Sequence, residues 1–483
     1  MGLKTFKIDF QEIASSHYIY ASYKFHYYNI EILKSKQLLR CKVSDYFDTF
    51  TGYAFKSENY EDEGTKLLRI GDFDKYGDLN ISQMACLPEE YYKKFKKFEV
   101  KNEDTVIALT GATIGKTTLI EDIQENILLN QRVGIMRLKN RNINPKLFYL
   151  LTKSKSFQFQ IQIDSMGKGQ QNISPTDVSK IKIPLIPKPK QDQIVAEIEP
   201  VEKKIRDLKI QIIPQQEVIN KVFAREFGFD ENLFNEFGKG MTAGTQIAQN
   251  RALKVFETNF EELSKSGIVR FSTRFHNTPT KKLMDFLDSI ETLQVKDVVE
   301  SYEKGLQPQY NPDGEIPVVK IANLKNGYID FSEPELITKE YYKSLDEKKK
   351  LKQNDIIICA TGKVSLGKID FYDYEQDSIT TVDNYILRLN KDYNTLFFTY
   401  FFRSILGYFQ IERDYTGATN QIHLYWEQIS NFQVPNISLK SQQKIVDEIK
   451  AELDKQEEIK KKIQNERNKI DSIIETAINY IYN

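Results

Sequence analysis

The stretch DTVIALTGATIGK (Asp104–Lys116) occurs a second time as DIIICATGKVSLGK (Asp355–Lys368), with one residue inserted. Each copy is a β-branched apolar run followed by a Thr-Gly pair and then a lysine. That order is typical of a buried strand leading into a tight loop. Gly111 and Gly362 are 251 positions apart. If the chain is duplicated, other equivalent residues should be separated by the same distance.

Further matches lie on both sides of this stretch in the same order. LLRIGDFDKYG (Leu67–Gly77) resembles VVKIANLKNG (Val318–Gly327), and DQIVAEI resembles QKIVDEI. Three more pairs are again 251 positions apart: Arg137 with Arg388, Pro184 with Pro435, and Ile194 with Ile445. Scattered similarity would not keep one offset, so the chain is a tandem duplication.

Each copy has two parts. The first mixes short β-branched runs with Gly, Asn and Asp turn clusters and a few helical stretches, which predicts an α+β globular domain. The second part is a long amphipathic helix. The predicted fold class is therefore α+β, with two repeated globular domains, each followed by a long helix, and the two helices paired as an antiparallel coiled coil.

Apolar residues in both predicted helices recur at steps of four and three, the a/d pattern of a coiled coil. In the first, around Gln191–Phe227, they are Ile194, Ile198, Val201, Ile205, Leu208, Ile212, Ile219 and Val222, with Gln215 filling a gap. In the second, around Ser441–Ile481, they are Val446, Ile449, Leu453, Ile463, Ile470, Ile474, Ala477 and Ile481, with polar Gln456, Lys460 and Arg467 in register. A helix this long cannot bury its own stripe, so we expect antiparallel pairing along these seams, with the polar residues setting the register. The alternative is that each helix packs on its own domain.

Two prolines interrupt the first helix. Pro200 and Pro214 each remove a backbone donor and should kink it. The expected boundaries are residues 1–188 for the first globular domain, 189–227 for the first helix, 228–267 for a linker, 268–439 for the second domain and 440–483 for the second helix.

Composition limits the function classes. With 483 residues, 40% hydrophobic and 28% charged, the chain is a normal globular mixture long enough for two or more domains. Its three cysteines lie far apart and form no CxxC pair, so neither a disulfide framework nor a thiolate metal site is expected. The N-terminus lacks the apolar core of a signal peptide, and we expect a cytoplasmic protein. Net charge is zero, so DNA binding would need local basic patches or a partner.

No complete catalytic motif is present. GATIGKT (Gly111–Thr117) has three residues where a phosphate-binding loop needs four, and its copy has Ile369 where that loop needs a hydroxyl. The chain also lacks an Asn/Asp-Pro-Pro-aromatic methyltransferase motif, an HExxH zinc motif and a GxSxG nucleophile elbow. We expect no catalytic residues and no metal site in this chain.

Two loops in each copy carry the chemistry of DNA recognition. Gly allows a backbone to approach a ligand closely, Lys suits phosphate or guanine, and Gln and Asn pair bidentately with adenine. The predicted DNA-binding residues of the first copy are Thr110, Gly111, Lys116, Lys168, Gln170, Gln171 and Asn172. Those of the second copy are Thr361, Gly362, Lys363, Lys368, Asn420 and Gln421. The alternative for each loop is a plain solvated turn.

The ordered double occurrence of these features resembles the specificity subunits of type I restriction–modification systems. In that family each target recognition domain ends with the same series of features. These are a loop containing Asn or Gln, an apolar residue, a strand ending in Pro, and the Gln-rich start of a helix. Here the two segments read QQNISPTDVSKIKIPLIPKPKQDQI and TNQIHLYWEQISNFQVPNISLKSQQKI. No equivalent is found for Glu226–Gly267.

The resemblance implies a subunit without its own catalytic site. Each domain would read half of a bipartite site in double-stranded DNA, with the coiled coil as a spacer. Two methyltransferase subunits and restriction/translocase subunits would be the partners, and S-adenosylmethionine, ATP and Mg would be bound by them and not by this chain. Two alternatives remain: the recognition subunit of a type IIG-like modification system, and a coiled-coil adaptor that does not bind DNA.

Overall fold

The computed structural model describes residues 40–165, 172–229, 273–276, 278–418 and 421–480. Their contacts divide the chain into two compact units. The first unit comprises residues 1–210 and 461–483, and the second comprises residues 211–460.

Short strands build the globular part of the first unit. They are β1 (Arg40–Lys42), β2 (Phe47–Thr51), β3 (Thr65–Leu68), β4 (Ala85–Leu87), β5 (Thr105–Ala108), β6 (Thr117–Leu119), β7 (Ile127–Leu129), β8 (Val133–Leu138) and β9 (Lys182–Pro184). A four-stranded antiparallel sheet has the order β2-β8-β5-β6, and a three-stranded sheet has the order β4-β3-β7, with β3 and β7 parallel. β1 pairs with β9, which joins the start of the described domain to its end.

The helices of the first unit follow in chain order, and side chains cap two of them. They are α1 (Val43–Tyr46), α2 (Glu90–Lys94), α3 (Pro145–Thr152), α4 (Lys155–Ser165), α5 (Pro175–Lys180) and α6 (Lys188–Ile210). Asn144 caps α3 by accepting from the amides of Lys146 and Leu147, and Pro145 at the first position has no amide to leave unpaired. Ser174 and Asp177 form a reciprocal capping box on α5.

The second unit repeats this order. Its strands are β10 (Thr292–Gln294), β11 (Val299–Lys304), β12 (Ile316–Val319), β13 (Glu335–Ile337), β14 (Asp355–Cys359), β15 (Ile369–Tyr372), β16 (Ile379–Thr380), β17 (Asn384–Leu389), β18 (Thr416–Ala418), β19 (Gln421–His423) and β20 (Gln433–Pro435). The sheet orders β11-β17-β14-β15, β13-β12-β16 and β10-β20 match those of the first unit, and β18-β19 adds a hairpin.

The helices of the second unit include one from the first predicted long helix. They are α7 (Gln215–Phe227), α8 (Thr273–His276), α9 (Thr278–Ser289), α10 (Val295–Val298), α11 (Lys339–Ser344), α12 (Thr395–Arg403), α13 (Ile405–Asp414) and α14 (Trp426–Ile429). The last helix, α15 (Leu439–Tyr480), contributes to both units.

A partly buried ion pair occurs at the same place in both four-stranded sheets. Arg137 on β8 binds Asp104 through two nitrogens at 2.8 and 2.7 Å, and Arg388 on β17 binds Asp355 at 2.8 and 2.8 Å. Burial raises the pKa of both carboxyl groups, while the arginine opposes that rise. The residues of the second pair lie 251 positions after those of the first. The duplication therefore extends to side-chain contacts inside the domains.

The first long helix is two helices, which corrects the prediction of one kinked helix. Pro200 lies inside α6, but the chain leaves helical geometry between Ile210 and Gln215. Pro214 offers no amide and disfavours helical geometry at the residue before it, and here, unlike at Pro200, the helix ends. The freed amide of Ile213 donates to Oε1 of Gln456 at 2.8 Å. Gln456 therefore stabilises the non-helical segment between α6 and α7.

Helix pairing is antiparallel, and the predicted fold class is confirmed. Within the second unit Arg225 of α7 pairs with Glu448 of α15, whereas the earlier Ile213 meets the later Gln456. Within the first unit Lys204 of α6 binds Glu466 of α15 at 2.7 Å. Most seam residues of both helices are buried: Ile194, Ile198, Ile205, Ile219, Val222, Val446, Ile449, Ile463, Ile470, Ile474 and Ala477. Ile481 lies outside the described residues.

A buried glutamine at each helix start fixes the helix to its domain. Oε1 of Gln191 accepts from the amide of Asn144 at 2.6 Å, and Gln442 makes the same contact with Asn394 at 2.7 Å. Each Nε2 donates to the carbonyl five residues earlier, at 2.7 and 2.8 Å. The Gln-rich motif of the sequence is thus a clamp that ties the start of the long helix to the cap of a domain helix.

Candidate nucleic-acid interface

One edge of each four-stranded sheet gathers the predicted loops. Because the strands of the first sheet are all antiparallel, the end of one lies beside the start of the next. At this edge β2 and β5 end and β6 and β8 begin, at Thr51, Ala108, Thr117 and Val133 respectively. The sheet continues for one further bond, in which the amide of Leu109 donates to the carbonyl of Arg132 at 3.0 Å.

The two loops predicted to read DNA are joined at this edge. Thr110 forms a β-bridge with Asn172, and the amide of Ile173 donates to the carbonyl of Leu109 at 3.0 Å. The second unit repeats the arrangement at an offset of 251, with Thr361 bridged to His423. The structure therefore brings together loops that lie about sixty residues apart in sequence.

The Thr-Gly loop is a tight turn closed by a backbone hydrogen bond. Gly111 has φ 80° and Gly362 has φ 87°, a left-handed conformation that side chains with a Cβ rarely adopt. The loop is closed by the amide of Gly115, which donates to the carbonyl of Ala108 at 2.9 Å. Its tip, which includes Ala112, is exposed beyond the sheet edge.

The predicted phosphate-binding lysines differ in their surroundings. Nζ of Lys116 donates to the carbonyl of Ile70 at 2.7 Å and lies 4.5 Å from the ring centroid of Phe73. Burial lowers the pKa of Lys116 from its usual value. A phosphate would have to compete with that carbonyl. Lys363 at the loop tip is exposed and Lys368 is half-buried.

Part of the predicted site lies outside the described residues, namely Lys168, Gln170, Gln171 and Asn420. The backbone of Gln421 is in β19, paired with Ala418. Asn172 is exposed beside Thr110, where its amide is available to a ligand. Base contacts by these residues stay a prediction.

The protein-family model of the type I restriction modification DNA specificity domain matches the sequence of this chain twice, over residues 40–215 and 288–468. The chain belongs to this family. The family predicted from the sequence is thereby confirmed, and the two matched regions are the two copies of the duplication.

Curated members of the family share limited identity with the chain. It is 30% identical over 147 residues, 30% of this chain, to the type I restriction enzyme MjaVIII specificity subunit of Methanocaldococcus jannaschii, and covers 34% of it. It is 27% identical over 173 residues, 35% of this chain, to the EcoAI specificity subunit of Escherichia coli, and covers 29% of it. The chain thus spans about a third of the length of these relatives. The crystal structure of the type I S subunit from M. genitalium aligns over 91% of this chain and 95% of its own, with 15% identity and a TM-score of 0.38.

Sequence reasoning missed residues that the fold brings to the same edge of this specificity domain. Gln131 and Arg132 are exposed in the turn between β7 and β8, and Tyr53 beyond β2 is 43% exposed. The amide of Gln131 donates to the carbonyl of Tyr53 at 2.9 Å, which joins the two turns. Gln and Arg are base-reading side chains. A polar Asn-Gln-Arg turn between two apolar runs was the available signal.

The second copy carries different side chains at this edge. Val382 and Asp383 stand at the positions of Gln131 and Arg132, and Oγ1 of Thr361 donates to Oδ1 of Asp383 at 2.9 Å. The two edges share a backbone but present different chemistry.

Over the part of the chain that the structure describes, no group of three or more His, Cys, Asp or Glu residues could hold a metal ion. Among the same residues, no helix has both the length and the apolar character needed to cross a membrane.

Proposed function

We propose that this chain is the DNA-reading specificity subunit of a type I restriction–modification complex. Each copy would read one half of a bipartite duplex site and direct adenine methylation and cleavage by partner subunits. The observation that carries the proposal is the repeated sheet edge, where Thr110 meets Asn172 and Thr361 meets His423. Two domains that present different side chains at equivalent positions suit a DNA site whose two halves differ in sequence.

The clamped helices supply the second element of this function. Gln191 and Gln442 attach the long helices to their domains through buried amides, so a domain cannot swing freely about its helix start. Helix length then sets the unread spacer, since each residue adds about 1.5 Å of rise.

The partners and cofactors follow from the same proposal. Two methyltransferase subunits and restriction/translocase subunits would bind S-adenosylmethionine, ATP and Mg, and this chain would bind none of them. Shared phosphate contacts would explain how a chain of zero net charge binds DNA in the cytoplasm.

The test is coexpression with the cognate methyltransferase subunit in a host without that motif, followed by sequencing of methylated adenines. We expect a new bipartite motif that needs this chain. A continuous motif would favour the type IIG-like alternative, and no motif with an intact complex would favour the adaptor. Asn172→Ala should relax one half of the motif only, whereas Lys368→Gln should weaken binding to all sequences alike.

A further inference from the structure

Four lysines are interleaved with aromatic residues in YYKKFKKF (Tyr91–Phe98), here called the lysine–aromatic segment. It covers the end of α2 and the turn after it. The lysines are all exposed: Lys93, Lys94, Lys96 and Lys97. Phe95 and Phe98 instead pack on Tyr53, with ring centroids 4.6 and 5.6 Å apart. The rings anchor the segment and leave the charges outside.

These charges are not neutralised locally. Among the residues that the structure describes, no carboxylate oxygen lies within 4 Å of any of the four ammonium groups. Their neighbours are rings: Lys94 lies 5.4 Å from the Phe95 centroid and Lys97 lies 4.9 Å from that of Phe98. Cation–π contacts orient an ammonium group without cancelling its charge.

Tyr53 connects the segment to the loop edge. Its ring lies against Phe95 and Phe98, while its backbone bonds to Leu129 and Gln131 at 2.9 Å each. Arg132 follows in the same turn and is exposed. Tyr53 thus links the lysine–aromatic segment to the turn that carries Arg132 at the loop edge.

The equivalent segment of the second unit, Tyr341–Lys350, also has four lysines but contains Asp346 and Glu347. Two of the lysines are paired, Lys349 with Glu303 at 2.8 Å and Lys350 with Glu347 at 2.5 Å. The loop position held by Arg132 in the first unit is acidic in the second. The positive field is therefore weaker there.

We propose that the lysine–aromatic segment contacts the phosphate backbone of duplex DNA beside the first half-site, and that the first unit supplies most of the salt-dependent affinity. This inference rests on the proposed function and deepens it, because it divides the binding energy unequally between two similar domains. Each phosphate contact releases counterions and adds about 0.9 to the slope of log affinity against log salt.

The experiment uses the chain assembled with its methyltransferase subunits. Affinity for a 45-base-pair duplex carrying the methylated motif, and for one of scrambled sequence, is measured by fluorescence anisotropy between about 50 and 200 mM salt. The variant is Lys94→Gln, Lys96→Gln and Lys97→Gln together. The matched control removes three exposed lysines from the equivalent region of the second unit: Lys343→Gln, Lys348→Gln and Lys352→Gln.

We expect the first variant to reduce the salt slope by about two to three on both duplexes, with the methylated motif unchanged. The control should reduce it by less than one. Equal slopes for variant and wild type, or equal losses in variant and control, would overturn the inference. So would loss of complex assembly, which would make the segment a protein-docking surface. If the wild-type complex shows no sequence-specific binding or methylation, the proposed function itself fails.

Discussion

The two domains share a fold but differ where each meets a long helix. In the second unit Arg403 is buried and binds Asp370 at 2.6 Å, with a further bond from Nε to a carbonyl at 3.1 Å. In the first unit Lys153 and Thr118 stand at the equivalent places, 250 and 252 positions earlier. Nζ of Lys153 donates to a backbone carbonyl, that of Tyr76.

Packing around these positions differs as well. In the second unit α7 closes the junction, because Gln216 donates to the carbonyl of Arg403 and Asn220 accepts from the first amide of α13 at 2.9 Å. In the first unit Arg467 of α15 lies 3.4 Å from the ring centroid of Tyr76, and a cavity of about 740 Å³ remains. Lys153 lies in its wall.

The difference teaches how a buried cation constrains its neighbours. An arginine keeps its charge at any accessible pH and must have a carboxylate, whereas a lysine can lose its proton. Burial lowers the pKa of Lys153 to about 8, so its junction tolerates the loss of the acid. The junction of the second unit is a closely packed ion pair. The junction of the first unit borders a cavity and contains a lysine that can lose its proton.

The largest effect is expected from Asp370→Asn. It leaves the guanidinium of Arg403 buried without its counter-charge, which should lower the free energy of unfolding by about 3–5 kcal/mol. Urea denaturation followed by circular dichroism measures the loss. Asp370→Thr with Arg403→Lys rebuilds the pair of the first unit and should lose less than Asp370→Thr alone. Equal losses would show that the difference between Arg and Lys is not what separates the two junctions.

A similar loss in both copies is expected when the helix-start clamp is removed. Gln442→Leu leaves the amide of Asn394 and the half-buried carbonyl of Ile437 unpaired, so unfolding should become easier by about 2–4 kcal/mol. Gln191→Leu should cost about the same or slightly more, because Gln191 makes the two equivalent contacts and also donates to the carbonyl of Asn142 at 3.0 Å. The same denaturation experiment tests both variants. A cost confined to one copy would mean that the clamp is not a shared device.

The sheet edges should differ in what they read. Arg132→Ala should relax one position of the first half-site and weaken binding to that site by about 1–3 kcal/mol. Asp383→Ala, at the equivalent position, should alter only the second half-site, since distant sites behave independently. Methylated-adenine sequencing with each variant provides the measurement. An unchanged motif with Arg132→Ala would place base reading elsewhere in the domain.

The smallest effect concerns the pH dependence of the open junction. Because the pKa of Lys153 is about 8 in the folded chain and about 10.4 when unfolded, the unfolded chain holds the proton more tightly. The unfavourable effect of its charge is fully present below pH 8 and fades as pH rises. The free energy of unfolding should therefore gain about 1 kcal/mol between pH 7 and 9 relative to Lys153→Met. Parallel pH profiles for the two proteins would exclude this titration.

The architecture could be predicted from sequence where signals are local or periodic. The constant offset predicted two equal domains, and the seam predicted paired helices. The single-helix prediction was wrong at Pro214, where an amphipathic pattern continues through residues that are not helical. Periodicity records which face is buried, and it does not record whether backbone bonds continue.

The candidate site was only partly predictable. The Thr-Gly and Asn loops were found because their side chains and glycines are informative alone. Gln131 and Arg132 were missed, since a three-residue polar turn is unremarkable until the sheet places it beside the Thr110 loop. The hydrogen bond from Nζ of Lys116 to the carbonyl of Ile70 was also missed, because the two residues lie 46 positions apart in sequence.

The sequence by itself determined the duplication, the mixed α+β class, the antiparallel helix pairing and the family. All of these depend on spacing and order along the chain. Only the tertiary structure decided which loops meet at the sheet edge, where the first helix breaks, and why one junction is ionic and the other open. Those outcomes depend on contacts between distant residues, such as Arg403 with Asp370, whose energies arise only when burial removes both groups from water.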